Sequence, residues 1–242
     1  MGRVLPLLLV LLLTPLGAGL GAPAKPSDAP RIGIVSAIGD KFYASKIGML
    51  AFGSDFKEMP IAAWGIDEMM TAKIRTALSP RFDVKPVTYK RAVFASFPDR
   101  SGLIAQNFRP DVVREVSPQG LDAYIVVVKA ERSYGGSRQL VQGIGSAEGN
   151  TDVDPIMFVH TYYNIFLVDG RDFQIKSQAG SQVPRPFNPF KRDFMSSPAR
   201  QVDASLWPTS LKAAEHQKLK GIVVELIDES LPPTLEKMQL SQ

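Results

Sequence analysis

Histidine is the first side chain to consider for metal binding or acid–base chemistry, and the chain has two. His160 falls in an apolar segment that predicts a strand, and His216 falls in a segment that predicts a helix. Glu215 directly precedes His216 and would project from a different side of that helix. We therefore predict no metal site, and we interpret His160 as a hydrogen-bonded core histidine.

A calcium-like spacing occurs at Asn150, Asp152 and Asp154, which match the first ligands of a calcium-binding loop. The sixth position of such a loop needs glycine for its sharp turn, and here it is Pro155. The twelfth position needs a bidentate glutamate, and here it is Thr161. The segment therefore predicts a polar connection between strands, without a bound cation.

Motifs for nucleophilic catalysis and phosphate binding do not match this sequence. Ser146 lies in GIGSAEG, whose glycines are offset from the G-x-S-x-G elbow and miss the G-x-G-x-x-G fingerprint by one residue. The adjacent carboxylates Asp67-Glu68 and Asp228-Glu229 lie in predicted helices, where neighbours project to different sides. We interpret both pairs as solvated helix surface. We predict no catalytic residues and no cofactor, so an enzyme is the less favoured class.

The segment 183–200 contains four prolines, which predict a loop, and it sets phenylalanines among basic side chains. Large aromatics with arginine dominate binding hot spots, so one interpretation is a docking loop for a periplasmic partner or an anionic surface. The other is that the phenylalanines pack onto the sheet or the last helix, because monomers rarely expose such patches. The candidate partner-binding residues are Arg185, Phe187, Phe190, Lys191, Arg192 and Phe194.

The first half of the chain predicts a strand, a hairpin, a helix and an edge strand. The apolar run 31–38 predicts a buried strand, and residues 41–52 predict a second strand or hairpin. Apolar residues recur at three- and four-residue steps over 66–78, which predicts an amphipathic helix. Residues 82–89 predict a strand that Pro86 confines to a sheet edge or a bulge.

The second half predicts two short helices, two consecutive hairpins and a long helix. The short helices are predicted near 90–94 and 111–116, and the hairpins pair 122–134 with 138–147 and 156–168 with 173–182. Pro208 is predicted near the start of the long helix, and Pro232-Pro233 are predicted to stop it.

This order of elements predicts an α/β (α+β) fold, with a mixed, largely antiparallel sheet and helices packed against it. No flexible Gly/Ser-rich linker interrupts the mature region, so we predict a single domain. We divide the chain into a signal peptide (1–24), a disordered leader (25–30), the mixed α/β domain (31–231) and a C-terminal tail (232–242).

The first residues have the layout of a secretory signal peptide. A positively charged start precedes the apolar run Val4–Leu16, and Ala22-Pro23-Ala24 offers a cleavage site. We predict cleavage after Ala24, because cleavage after Ala22 would place proline at the new terminus. The apolar run is shorter than the roughly 20 residues of a membrane span, and no other stretch approaches that length. The sequence therefore predicts a periplasmic or secreted protein without a transmembrane segment in the mature chain.

Cysteine content and charge narrow the function classes further. The chain has no cysteine, which beside an export signal favours the bacterial periplasm and excludes lipid attachment and thiol catalysis. The net charge of +4 falls to +3 when Arg3 is removed with the signal peptide. This excess is small and dispersed, whereas nucleic-acid binding needs clustered lysine and arginine. We therefore predict no nucleic-acid partner.

The order of these segments resembles a group of bacterial envelope proteins. The resemblance rests on RIGIVSAIGD, WGIDEMMTAKIRTAL with FDVKPV, DAYIVVVKAERSY and YYNIFLVDGRDFQIKSQ, and it spans residues 31–182. The chain is similar in this pattern to the amino-terminal domain of TolB-type proteins, to curli-secretion CsgG-like proteins and to lipoprotein activators of penicillin-binding proteins. Many of those relatives are lipid-anchored, and this chain lacks the cysteine required. The resemblance implies an interaction or scaffold module without catalytic residues.

The function predicted from the sequence is therefore a non-catalytic module that binds another envelope protein. Two alternatives remain open at this point. A periplasmic hydrolase would join His160 with a serine and a carboxylate at hydrogen-bond distance. A small-ligand carrier would show a large apolar cavity between the sheet and the helices.

Overall fold

The computed structural model describes residues 29–47, 55–95, 110–133, 140–149, 156–184, 197–212 and 215–241. Within them the chain forms twelve strands and four α-helices. The strands are β1 (Arg31–Ala37), β2 (Lys41–Ile47), β3 (Asp55–Pro60), β4 (Asp83–Lys85), β5 (Ala123–Lys129), β6 (Glu131–Ser133), β7 (Leu140–Gln142), β8 (Ile144–Gly149), β9 (Ile156–Thr161), β10 (Tyr163–Asp169), β11 (Ile175–Gly180) and β12 (Ala199–Val202). The helices are α1 (Ile66–Leu78), α2 (Arg91–Ala95), α3 (Pro110–Val116) and α4 (Gln217–Lys237).

The strands form two five-stranded sheets and one small hairpin. The first sheet has the order β11-β10-β5-β1-β4, and the second has the order β12-β9-β8-β2-β3. In the described part of the chain, six of the nine strand pairs are antiparallel, and β1 is parallel to both of its neighbours. The predicted class, a single α+β domain with largely antiparallel pairing, is confirmed. The strands are nevertheless divided between two sheets.

Helices cover both faces of the first sheet. The main core lies on the face that carries Ile32 and Ile34 of β1, where α1 and α4 pack together with residues of the second sheet. A second core lies on the opposite face, where Val35 of β1 meets Phe94 of α2 and Val116 of α3. Alternate residues of β1 therefore enter different cores, which explains why its sequence is apolar on both faces.

Two short segments carry the chain directly from a strand of one sheet into a strand of the other. Residues 38–40 carry the chain from β1 into β2, and Tyr162 separates β9 from β10. The N–H of Tyr162 donates to the carbonyl of Gly143 at 2.7 Å, and its carbonyl accepts from Ala130 at 3.0 Å. Because these bonds hold Tyr162 outside either ladder, the single strand predicted over 156–168 is two strands. Gly143 has φ +57°, a left-handed conformation that favours glycine.

The last helix begins and ends later than the sequence predicts. The predicted start near Pro208 is wrong, because α4 begins at Gln217 and Leu211 is 57% exposed. The predicted stop at Pro232-Pro233 is also wrong, because α4 continues to Lys237. Both prolines lie on exposed or half-buried positions of the helix. Their cost is offset by side chains that follow the same apolar stripe into the main core, namely Leu231, Leu235, Met238 and Leu240.

Hydrogen bonds also tie α4 to the sheets. The hydroxyl groups of Tyr163 and Ser230 lie 2.8 Å apart in the buried interface between β10 and α4. Thr234 donates from its hydroxyl to the carbonyl of Ser230 at 2.6 Å and accepts from the N–H of Gln182 at 3.3 Å. Burial is the main cause that raises the pKa of Tyr163 far above its ordinary value. The phenol therefore stays neutral, as this buried network requires.

Replacing Pro232 with alanine should stabilise the protein. Pro232 has no N–H to donate to the carbonyl of Asp228, and alanine restores that donor at an exposed helical position. The gain in helix propensity exceeds the loss of chain rigidity in the unfolded state, so the free energy of unfolding should rise by about 1–2 kcal/mol. Urea unfolding followed by circular dichroism measures this change. Pro30→Ala, outside the helices, is the control, and a lower stability of Pro232→Ala would contradict the helical assignment.

The signal peptide (1–24) and four of the six leader residues (25–28) lie outside the described residues, and both stay predictions. Among the residues that the structure describes, no helix is long and apolar enough to cross a bilayer.

Candidate functional site

Helix α1 separates two surface grooves. One groove, here called the α1–β4 groove, has a volume of about 340 Å³ and lies between α1 and the chain after β4. The other, the α1–α4 groove, has a volume of about 540 Å³ and lies between the two helices. Thr71 lines the first groove, Thr76 lines the second, and Ala72 lines both. Both volumes lie within the range of ligand-binding sites.

The first turn of α1 is fixed to the sheet by a buried carboxylate. One oxygen of Asp67, Oδ1, accepts from the Ser36 hydroxyl at 2.7 Å and from the backbone N–H groups of Ile38 and Gly39 at 2.9 and 3.2 Å. The other oxygen, Oδ2, forms an ion pair with the guanidinium of Arg91 on α2. Asp67 is 4% exposed, so the prediction that Asp67-Glu68 is solvated surface is wrong for Asp67. Both of its oxygens therefore contact groups of the fold.

This carboxylate fixes the end of β1 where the chain turns towards the second sheet. Gly39 allows the close approach, because a Cβ atom there would lie 2.8 Å from Cβ of Ile66. A larger residue at position 39 would therefore push α1 away from β1, and Asp67 would lose its hydrogen bonds there. Hydrogen bonds thus join the start of α1 to residues 36–39. They fix the end of the α1–β4 groove that lies beside the first turn of α1.

Tyr89 occupies the edge of β1 beyond the end of β4. Its hydroxyl donates to the carbonyl of Ser36 at 2.8 Å and accepts from the N–H of the same residue at 3.1 Å. It therefore replaces the strand neighbour that β4, which ends at Lys85, does not provide. Burial raises the pKa of Tyr89, and the bond to Ser36 opposes this shift. The neutral phenol closes the end of the groove that lies beside the first turn of α1.

The outer wall of the α1–β4 groove is the extended chain after Pro86. Val87 packs over Gly33 of β1, where a Cβ atom would lie 2.3 Å from the valine side chain. The amide of Gln119 accepts from the N–H of Thr88 at 3.1 Å and donates to its carbonyl at 2.8 Å. These contacts fix the wall before any ligand arrives. Strand β4 is an edge strand, as the sequence predicts, but it ends at Lys85, so Pro86 follows the strand and does not lie within it.

Opposite charges lie at the two ends of this groove. Glu68 follows Asp67 in the first turn of α1, at the end of the groove that Tyr89 closes. Arg75 lies two turns later, and Lys85 lies across the groove from α1. In the described part of the chain, neither Glu68 nor Arg75 has an ion-pair partner, whereas Lys85 contacts Asp83 at 2.8 Å. The groove is therefore acidic at one end and basic at the other.

The α1–α4 groove is more apolar. Its floor contains Leu231 and Leu235 of α4 and Ala77 of α1. Lys73 on α1 and Asp228 on α4 form an ion pair across it, with Nζ and Oδ1 2.5 Å apart. Both side chains are partly exposed, so this pair contributes little to stability.

His160 is a buried core residue, as predicted. It is 1% exposed, its Nδ1 lies 3.1 Å from the carbonyl of Gly143, and its ring stacks on Tyr162 at 4.4 Å. Burial lowers its pKa to about 4. Within the described residues, Nε2 has no hydrogen-bond partner. The serine and carboxylate expected for a hydrolase therefore do not contact His160 in this part of the structure.

The other predicted site residues fall in different places. The candidate binding residues Arg185, Phe187, Phe190, Lys191, Arg192 and Phe194 lie outside the described residues, as do Asn150, Asp152 and Asp154. Arg200, at the end of the predicted loop, is in β12 and forms ion pairs with Glu225 and Glu229 of α4. The structure describes no group of three or more potential metal ligands in the ranges that it covers.

A sequence signal could have identified Asp67. It precedes Ile74 by seven residues and Leu78 by eleven, which places it on the buried side of α1. An ionisable group at such a position is buried only with partners. No comparable sequence signal links Ser36 and Tyr89. They are 53 positions apart, and their contact is between the tyrosine hydroxyl and the backbone of a strand edge.

Comparisons with known proteins show a distant structural likeness. No family model and no curated protein matches the chain. A Xanthomonas campestris protein of the DUF330 family is 13% identical with a TM-score of 0.32, covering 90% of this chain and 93% of that one. A neuraminyllactose-binding hemagglutinin homolog from Helicobacter pylori is 9% identical with a TM-score of 0.32, covering 91% and 92%. A Neisseria meningitidis lipoprotein is 15% identical with a TM-score of 0.26, covering 83% and 99%. At these TM-scores the likeness carries no functional argument.

Proposed function

We propose that this protein is a non-catalytic binding module of the bacterial cell envelope, and that it binds another envelope protein across α1 and its two flanking grooves. The observation that carries the proposal is the pair of grooves that share Ala72. A helix with a groove on each side offers a partner a ridge and two depressions, which gives the shape complementarity that interfaces need. The predicted export signal and the absence of cysteine support a soluble periplasmic location.

Rigidity of the surface is a further support. Asp67 fixes the start of α1 to β1, and Tyr89 fixes the chain after β4 to the same strand. On the other side, the bond between Tyr163 and Ser230 fixes α4. A preformed surface loses little conformational entropy on binding. The resemblance to TolB amino-terminal and CsgG-like proteins belongs to the same proposal, since it also implies an interaction module.

A photo-reactive amino acid on α1 tests the proposal in intact cells. Placed at Ala72, which lines both grooves, it should give one discrete cross-linked partner. Placed at Ala63, an exposed alanine before α1, it should give none. Equal adducts from both positions, or adducts from neither, would contradict docking on α1.

Arginine substitutions then distinguish the two grooves. Thr71→Arg fills the α1–β4 groove and Thr76→Arg fills the α1–α4 groove, with the same change on the same helix. Arginine has a higher helix propensity than threonine, so both variants should fold. At least one of them should lower the yield of the Ala72 adduct about tenfold, with the melting temperature nearly unchanged. Full yield from both variants would exclude the grooves as the contact surface.

A further inference from the structure

We infer that the α1–β4 groove binds an extended peptide segment of about three residues, with a positive charge at the Glu68 end and a negative charge at the Arg75 end. This inference rests on the proposed function and names what the groove accepts. Its basis is that Glu68 and Arg75 carry opposite charges and have no ion-pair partner within the described residues, together with the distance between them and the fixed wall that faces α1.

The direction of α1 defines which charge lies at which end. The bonds of Asp67 place the first turn of α1 beside the end of β1. Four residues, 79–82, join α1 to β4, whose first residue pairs with the first residue of β1. Helix α1 therefore runs antiparallel to β1 and β4. Glu68 lies near the end of β1, and Arg75 lies beside β4.

The length of the groove matches three extended residues. Glu68 and Arg75 are seven positions apart, which along a helix is about 10.5 Å. Three extended residues span roughly 10 Å. The two side chains are too far apart to pair with each other, so each can pair with a ligand group of opposite charge. A ligand of this length would place one charge at each end.

The walls of the groove fit a peptide as well. Between the charged ends the lining is small or apolar, and it includes Ile34 of β1, Ala72 of α1, and Pro86 and Val87 after β4. The volume of about 340 Å³ is at the lower end of the range for ligand sites and suits a short segment with small side chains. Because the bonds of Thr88 and Tyr89 fix the outer wall, the groove is preformed.

Lys85 strengthens the basic end. Its ammonium contacts Asp83 of the same strand, and its side chain also lines the groove. A ligand carboxylate beside Arg75 would therefore approach a second cation. A terminal carboxylate or an acidic side chain of a partner protein would supply the negative group, and a terminal ammonium or a lysine would supply the positive one.

Trialanine is the simplest probe, because it is a zwitterion of the required length with small side chains. Nuclear magnetic resonance titration of the mature protein should show shifts of α1 and of residues 85–89. Acetylating the amino terminus or amidating the carboxyl terminus should each weaken binding roughly two- to fivefold, as expected for a partly exposed ion pair. Thr71→Arg should abolish the shifts, and Thr76→Arg should leave them unchanged.

Two variants that each remove one charge test the orientation of the bound peptide. In Glu68→Gln, acetylation of the peptide should no longer matter, whereas amidation should still weaken binding. In Arg75→Gln, amidation of the peptide should no longer matter, whereas acetylation should still weaken binding. The inference is overturned if trialanine causes no shifts at millimolar concentration, or if the effects of the two caps are the same in both variants as in the unaltered protein.

The outcomes separate this inference from the proposed function. Loss of the cross-linked partner in Thr71→Arg without trialanine binding would refute the peptide and retain docking on α1. Binding of trialanine with the expected charge dependence, together with no partner cross-linked from Ala72, would refute docking of an envelope protein and leave a free short peptide as the ligand.

Discussion

Asp67→Ala should lower the free energy of unfolding by about 3–4 kcal/mol, a large part of the stability of a domain of this size. Alanine removes the acceptor of the Ser36 hydroxyl and of two backbone N–H groups, which remain buried. It also removes the partner of Arg91, whose side chain is 31% exposed and partly relaxes into water. The lost acceptors therefore account for most of the cost.

The neighbouring carboxylate is the matched control. Glu68→Ala removes a charge one position away on the same helix, at an exposed site, and should change stability by less than about 0.5 kcal/mol. Asp67→Asn should lie between the two, because its amide oxygen still accepts hydrogen bonds while its NH₂ group faces Arg91. Urea unfolding of the three variants gives the order. Equal stability of Asp67→Ala and Glu68→Ala would contradict the network.

Periodicity explains what could be predicted of the fold. The apolar steps along residues 66–78 gave the bounds of α1 correctly, because one stripe of that helix is buried. Pro86 gave the edge position of β4, because proline lacks the ladder donor. The missing N–H of proline also predicted that α4 stops at Pro232, and this prediction was wrong. Burial of Leu231 and Leu235 outweighs the lost hydrogen bonds there.

Long-range contacts explain what could not be predicted. The sequence continues its apolar alternation through Tyr162, whereas in the structure its bonds to Ala130 and Gly143 lie where one strand ends and the next begins. The α1–β4 groove depends in the same way on Val87 seated over Gly33, 54 positions away. Local patterns give the faces of each element, whereas grooves between elements depend on such pairings.

The stability of the protein should fall in mild acid because of His160. Its pKa is about 4 in the folded protein, below the ordinary value of about 6.5, because burial disfavours the charged ring. Between these two values the unfolded chain binds a proton that the folded protein does not. The contribution of His160 is therefore complete above pH 6.5 and is lost as the pH falls towards 4, by about 3 kcal/mol.

The surroundings of the ring explain why it does not adapt to the proton. Nδ1 already faces the carbonyl of Gly143, so a second proton would go to Nε2, which has no acceptor within the described residues. Tyr162 covers one face of the ring, and Gly145 leaves room for its edge, since a Cβ atom there would lie 3.0 Å from Nε2. The charged ring would thus be buried without a partner, which is costly.

His160→Asn separates this effect from the titration of surface carboxylates. Asparagine can still donate towards Gly143 and does not titrate, so the variant should lose the change in stability between pH 6.5 and 4 whatever its stability at neutral pH. His216→Asn is the control and should keep that change, because it leaves the buried ring of His160 in place. Urea unfolding at several pH values measures the slope, and the proton signals of His160 give its pKa directly. A slope that persists in His160→Asn, or a pKa near 6.5, would show that this ring is hydrated and that its burial does not limit stability in acid.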